Sequence, residues 1–198
     1  MNELPLDEIV TPAYVCDLNL LRKNLELLKF VQDESDCRIL LALKGFAMFA
    51  AAPMIREYLV GTCASSVHEA QLGKEEFQGQ VHAYAPAYSK RDIEELIPFI
   101  DHINFNSFGQ YQKWKPLMDD SGKNILYGLR INPEYSEIDV PLYDPCRKNS
   151  RLGITLGEFK NQDIRGISGL HFHTLCEQNT STLENTLAVI EKNFGEIL

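Results

Sequence analysis

Residues 39–46, ILLALKGF, form an apolar run of the kind that makes a buried parallel strand, yet the run closes on a lysine. An ammonium at such a place is costly unless it reaches water or does chemistry. Lys44 is therefore either a solvated strand end or a nucleophilic amine. Other chemically capable residues fall at the ends of comparable runs: CASS closes LVGTCAS, Arg130 and Asn132 close ILYGLRIN, and His171 and His173 close ISGLHFHT. Strand side chains alternate, so Lys44 shares a side with Leu40 and Ala42, and His171 shares one with His173. Two histidines at this spacing could ligate a metal, but a metal site needs about three or four convergent donors, and no carboxylate or third histidine stands at ligand spacing nearby. A metal-dependent barrel hydrolase on His171 and His173 thus has few residues behind it, and no metal ligands are assigned. The tripeptide Arg151, Leu152, Gly153 reads as a loop-to-helix junction. Glu134, Glu137, Asp139 and Asp144, in the long loop before it, read as solvated charges that would also suit an amine ligand.

These residues need a scaffold that brings strand ends together. The chain has 198 residues, 44% hydrophobic and 24% charged, enough for one sizeable core. Short β-rich runs alternate with amphipathic segments without a linker or a low-complexity tract. An opening strand AYVCDL and a helix over 19–33 are expected first. Strands follow at RILLALK, LVGTCAS, VHAYAPA, HINFNS, ILYGLRIN and ISGLHFHT, with helices over 47–58, 67–76, 90–98 and 108–118. A last helix, over 181–194, places Leu183, Leu187, Ile190 and Phe194 at helical spacing, so that one apolar face can pack on the sheet. The βαβα rhythm predicts an α/β chain carrying about six of the eight units of a TIM-type (β/α)8 barrel, whose chemistry sits at the C-terminal ends of the strands. The alternative is an open doubly wound sheet; no strand is followed by a glycine-rich nucleotide loop.

With 28 acidic and 19 basic residues the formal charge is −9, which argues against a nucleic-acid partner and tolerates a cationic ligand. Five scattered cysteines form no CxxC pair and suggest a reducing cytoplasm. The acidic start MNELPLDEIV carries no signal pattern, and no apolar run nears membrane-spanning length, so no membrane association is expected.

TPAYVCD, LLALKGF, CASSVHEAQLG, LRINPEYSEIDVPLYDPC, SRLG and GLHFHTLCEQN, in this order, resemble the carboxynorspermidine decarboxylase family of alanine-racemase-fold, pyridoxal-phosphate enzymes, over essentially the whole chain. The resemblance implies a group IV decarboxylase barrel over 1–198, incomplete at its C-terminal side and without the C-terminal β-domain, that is, the N-terminal half of such an enzyme. It implies pyridoxal 5′-phosphate carried as a Schiff base on Lys44, His173 stacked on its ring, Arg151 near the ring, and Cys176 beside the phosphate. The implied reaction is decarboxylation of carboxynorspermidine or carboxyspermidine to norspermidine or spermidine, by a homodimer acting on a small polyamine substrate. A non-catalytic fragment that binds polyamine or a partner stays open as the alternative.

Overall fold

The computed structural model describes residues 6–197; residues 1–5, within the acidic opening of the chain, and residue 198 lie outside it. Six strands form one sheet: β1 (Leu40–Ala42), β2 (Gly61–Ala64), β3 (Gln80–Tyr84), β4 (His102–Phe105), β5 (Leu126–Arg130) and β6 (Ile167–His171). The spatial order is the chain order, and every neighbouring pair is parallel. Helix α1 (Leu18–Ser35) precedes β1, and α2 (Ala52–Ile55), α3 (Val67–Leu72), α4 (Lys90–Leu96), α5 (Phe108–Asp119), α6 (Leu156–Phe159) and α7 (Thr180–Phe194) follow the strands in turn. A doubly wound sheet reverses its strand order at a switch point, whereas winding in one direction is what a barrel requires. The sheet is thus a six-unit arc of a (β/α) barrel, with β1 and β6 as its two edges.

Serines set where the helices begin. Ser66, Ser89 and Ser107 each accept a backbone N–H three residues on, from Glu69, Asp92 and Gln110, and Asp92 completes a capping box on the Ser89 N–H. Each cap contributes about 1 kcal/mol and fixes the point where a strand turns into its helix.

Strand alternation then sorts the sheet into two faces. Val81, Ala83, Ile103, Phe105, Tyr127 and Leu129 are buried against Ile93, Leu96, Tyr111, Trp114 and Met118 of the helices. A second cluster, with Leu25, Leu43, Ala52, Ile55 and Phe77, seats α1 and α2 around β1. Gln32 ties this corner polar-wise: its amide donates to Tyr58 O and accepts the Ile39 N–H, both at 2.8 Å. The alternate positions, Cys63, His82, Tyr84, His102, Asn104, Arg130 and His171, line the opposite, inner face. Gly128 stands in register with Asn104 on that face, where a Cβ would lie 2.0 Å from Asn104 Oδ1, so only glycine leaves room for the amide.

Three elements depart from the sequence reading. AYVCDL is not a strand: residues 13–17 have no sheet partner among the described residues, and Tyr14 is 96% exposed. The helix expected over 47–58 is a 3-10 turn, Phe49–Ala51, leading into α2, because Pro53 lacks an N–H and pins the helix start. On α7 the buried stripe is Thr182, Thr186, Ile190 and Phe194, while Leu183 and Leu187 face outward. The threonines bury because the Thr186 hydroxyl bonds back to Thr182 O, and the Thr182 hydroxyl donates to Glu137.

Candidate functional site

The residues singled out in the sequence gather at the C-terminal ends of the strands. Strand β1 stops at Ala42, two residues before Lys44. The Leu43 N–H makes a last rung to Cys63 O at 3.1 Å, and Gly45 and Phe46 both donate back to Ala42 O, at 3.0 and 3.2 Å. That turn buries Leu43 and leaves Lys44 exposed, so the amine is not the buried group that the strand pattern suggested. Lys44, His173 and Cys176 line one cavity of about 390 Å³, together with Tyr84, Arg130 and Thr174. Lys44, His173 and Cys176 form its exposed rim, and Arg130 and Thr174, 5% and 2% exposed, its floor.

Arg151 is not in this cavity. It lines a neighbouring one of about 590 Å³ with Asp144, Arg147 and Ser150, and Pro86, Tyr143, Pro145 and Leu152 form the wall between the two. The long loop after β5 returns to the strand end, where Ile131 bridges Ile154, the Ile154 N–H donates to Arg130 O, and the Asn132 N–H donates to Ile154 O. Arg151 is therefore placed beside the site by its main chain. Cys176 keeps its place on the rim, but its N–H is taken up by the Gln178 side chain and lies ahead of α7 rather than at a helix start. In the acidic loop, Glu137 is engaged structurally: it accepts from Thr182 Oγ1 at 2.7 Å, Asn185 Nδ2 at 2.9 Å, and the Tyr135 hydroxyl, which holds its carboxyl below the usual range.

Electrostatically the site is unlike the rest of this acidic chain. Among the described residues, Lys44 and Arg130 are the only fixed charges on the cavity wall. Arg130 donates to neutral acceptors, Tyr84 Oη at 2.6 Å and His173 O at 3.1 Å, and it takes part in no ion pair among the described residues. Its Nε, His171 Nε2 and Thr174 Oγ1 are buried without a hydrogen-bond partner. Burial pushes the His171 pKa down to about 4, with Arg130 and His173 adding to the effect. His173 is lowered by desolvation and by the Lys44 and Arg130 charges. Burial raises the Tyr84 phenol, against the pull of Arg130. The His171 ring stacks on Tyr84 at 4.9 Å and meets His173 edge-on at 6.4 Å. Among the described residues no group of three His, Cys, Asp or Glu side chains is placed to hold a metal ion.

Tyr84 and Asn106 belong to the site and were missed in the sequence. Both follow a rule that could have found them, since each is a polar residue at or just past the C-terminal end of a strand run, VHAYAPA and HINFNS.

No family model matches the chain. It is 43% identical over 190 residues to the carboxynorspermidine/carboxyspermidine decarboxylase of Campylobacter jejuni, covering 96% of this chain and 49% of that protein. With the carboxyaminopropylagmatine decarboxylase of Synechocystis it shares 42% over 193 residues, covering 98% and 49%. A crystal structure of carboxynorspermidine decarboxylase from Campylobacter jejuni complexed with norspermidine matches with a TM-score of 0.85 at 40% identity, over 95% of this chain and 47% of that one. Diaminopimelate decarboxylase from Helicobacter pylori, complexed with L-lysine, shares the fold with a TM-score of 0.77 at 17% identity, over 97% and 52%. Fold and site therefore define part of a (β/α) barrel of the kind found in these decarboxylases. In sequence the chain is similar to carboxynorspermidine and carboxyspermidine decarboxylases, and it spans about half the length of the curated relatives it matches.

Proposed function

We propose that this chain forms the cofactor-binding side of a pyridoxal-phosphate-dependent decarboxylase acting on a carboxylated polyamine, carboxynorspermidine or carboxyspermidine, within polyamine biosynthesis. The observation that carries the reading is the cavity at the strand ends, where Lys44 and a buried, unpaired Arg130 stand without an acid in a chain of net charge −9. Such a wall, carrying two cations and no acid, selects an anion. A phosphorylated, electron-poor aldehyde ring matches that demand, and the relatives' names supply the reaction class.

Lys44 would hold the cofactor covalently through its amine, and the exposed rim position leaves that amine reachable. His173, across the mouth, would lie on the ring, and Arg130 would compensate negative charge from below. When bound, the cofactor supplies an acceptor for the electron pair released as carbon dioxide departs. The chain's own contribution would be orientation, with Lys44 and His173 on the rim restricting how the group and its substrate are held. Cys176, on the rim of the same cavity, would lie beside the phosphate, although a thiol is a weak donor. Cytoplasmic location and a homodimeric whole enzyme belong to the same reading. The location is supported by the five scattered cysteines, none of them in a disulfide.

The test is chemical. Protein incubated with pyridoxal phosphate should absorb in the visible, and borohydride should fix the adduct on Lys44, seen by peptide mass spectrometry and lost in Lys44→Ala. An adduct found instead on Lys74 or Lys90 would refute the assignment.

A further inference from the structure

The strand ends are joined by one hydrogen-bonded belt, of which the proposed chemistry uses Arg130 alone. Tyr84 is its centre. The phenol oxygen, at the end of β3, accepts Arg130 Nη1 at 2.6 Å and donates to Asn106 Oδ1, past the end of β4, at 3.0 Å. Asn106 then spans to the loop after β5: its Oδ1 accepts the Gly153 N–H at 2.9 Å, and its Nδ2 donates to Arg151 O at 2.8 Å. On the other side Arg130 Nη2 reaches His173 O at 3.1 Å, past the end of β6. One side chain thus links the loop that carries Arg151 to the main chain that carries His173.

We infer that Tyr84 is a positioning residue of the site: through Asn106 and Arg130 its hydroxyl locks the 151–153 segment and the His173 backbone into one rigid rim. This inference deepens the cofactor reading given above and rests on it for its consequence in binding. Every link is specific. The phenol holds both its donor and its acceptor capacity in use, and so does the Asn106 amide. Gly153 has φ +82°, and a Cβ there would lie 2.7 Å from Ile131 C, so the segment reaches Asn106 only because this residue is glycine. The Tyr84 ring is held independently, stacked on His171 and 5.1 Å below the guanidinium, so the hydroxyl is presented in a fixed direction. Linked polar groups in a site of low dielectric strengthen one another, and cutting a central link strands partners on both sides.

Tyr84→Phe is the test, because it keeps the stacked ring and removes one atom. In the full chain at low micromolar concentration, amide hydrogen exchange read by mass spectrometry should be roughly tenfold faster at Gly153, the loss of one net hydrogen bond. Exchange at Ile154, whose N–H bonds to Arg130 O, should stay at the wild-type rate. Asn106→Ala should give the same pattern, and the double variant should add little to either. Pyridoxal phosphate, titrated by absorbance, should bind several-fold more weakly to both single variants. Wild-type exchange at Gly153 in Tyr84→Phe would overturn the inference. Equal acceleration at Gly153 and Ile154 would overturn it as well, since that is local unfolding rather than release of the belt. If pyridoxal phosphate fails to bind the wild type, the cofactor reading falls while the exchange pattern still decides the belt.

Discussion

At the scale of single residues, the histidine that ends β6 and the one just past it do different work although two positions apart. His171 is turned inward, stacked on Tyr84, with its Nε2 buried and unpartnered; His173 is on the rim of the cavity that Lys44 also lines. His173→Ala should therefore weaken pyridoxal phosphate binding while leaving the melting temperature nearly unchanged, and His171→Ala should lower the melting temperature more than it affects binding. Equal binding losses from the two, read by absorbance titration, would contradict the placement. The same burial makes a pH prediction. His171 and His82 are both held down to about 4, the latter by burial and by His102, against which its ring stacks at 3.8 Å, partly opposed by Asp101. An unfolded histidine titrates near 6.5. Between these values the unfolded chain binds more protons than the folded one, so the stabilisation is complete above about 6.5 and is lost as pH falls toward 4. Thermal melts across that window should show falling stability, and the slope should be shallower in His82→Gln. A flat profile would mean that the rings are solvated.

At the scale of elements, the strands were legible because each is a β-rich run ended by a helix-capping serine or a turn, and the observed strands fall inside the runs read from sequence except that β3 begins one residue early, at Gln80. Lys44 and His173 could be brought together for the same reason, since strand ends meet at one mouth whatever their separation along the chain, whereas Cys176 came from the family resemblance alone. What could not be read depends on partners. AYVCDL has the composition of a strand but no neighbour to pair with, and the α7 stripe was misassigned because threonines made acceptable core once Glu137, far away in sequence, received a hydroxyl. Arg151 was placed near the right strands, yet its side chain follows a loop path set by Gly153 and by the bridge between Ile131 and Ile154. That path is testable in itself. Gly153→Ala forces a Cβ against the Ile131 backbone at positive φ, a strain of about 1–3 kcal/mol. Denaturant titration should show a loss of that order, whereas Gly157→Ala, in open space on α6, should be neutral or slightly stabilising.

At the scale of the molecule, the same winding that gathers the site leaves two ladders unfinished. Among the described residues β1 pairs only with β2, and β6 only with β5. Some of the apolar residues that face solvent lie on α1 and α7, the helices joined to those edge strands: Leu20, Leu27, Phe30 and Val31 on α1, and Leu183 and Leu187 on α7. A barrel of about eight strands has no edges, and two further units between β6 and β1 would pair both ladders and cover both helices. Until they are paired, unsatisfied backbone groups beside apolar surface favour association between copies. The 198-residue chain expressed by itself should therefore self-associate as its concentration rises, detectable by light scattering, and should release little carbon dioxide from carboxynorspermidine even where Lys44 carries the cofactor. A second polypeptide supplying the rest of the relatives' length should suppress the scattering and raise turnover together, because one docking event both closes the sheet and walls the exposed rim of Lys44, His173 and Cys176 from water. The two readouts separate the possible failures. Suppressed scattering without turnover would mean that the barrel closes but the cofactor chemistry is misassigned, and substantial turnover by the 198-residue chain alone would mean that six units suffice and that the open edges are no impediment to catalysis.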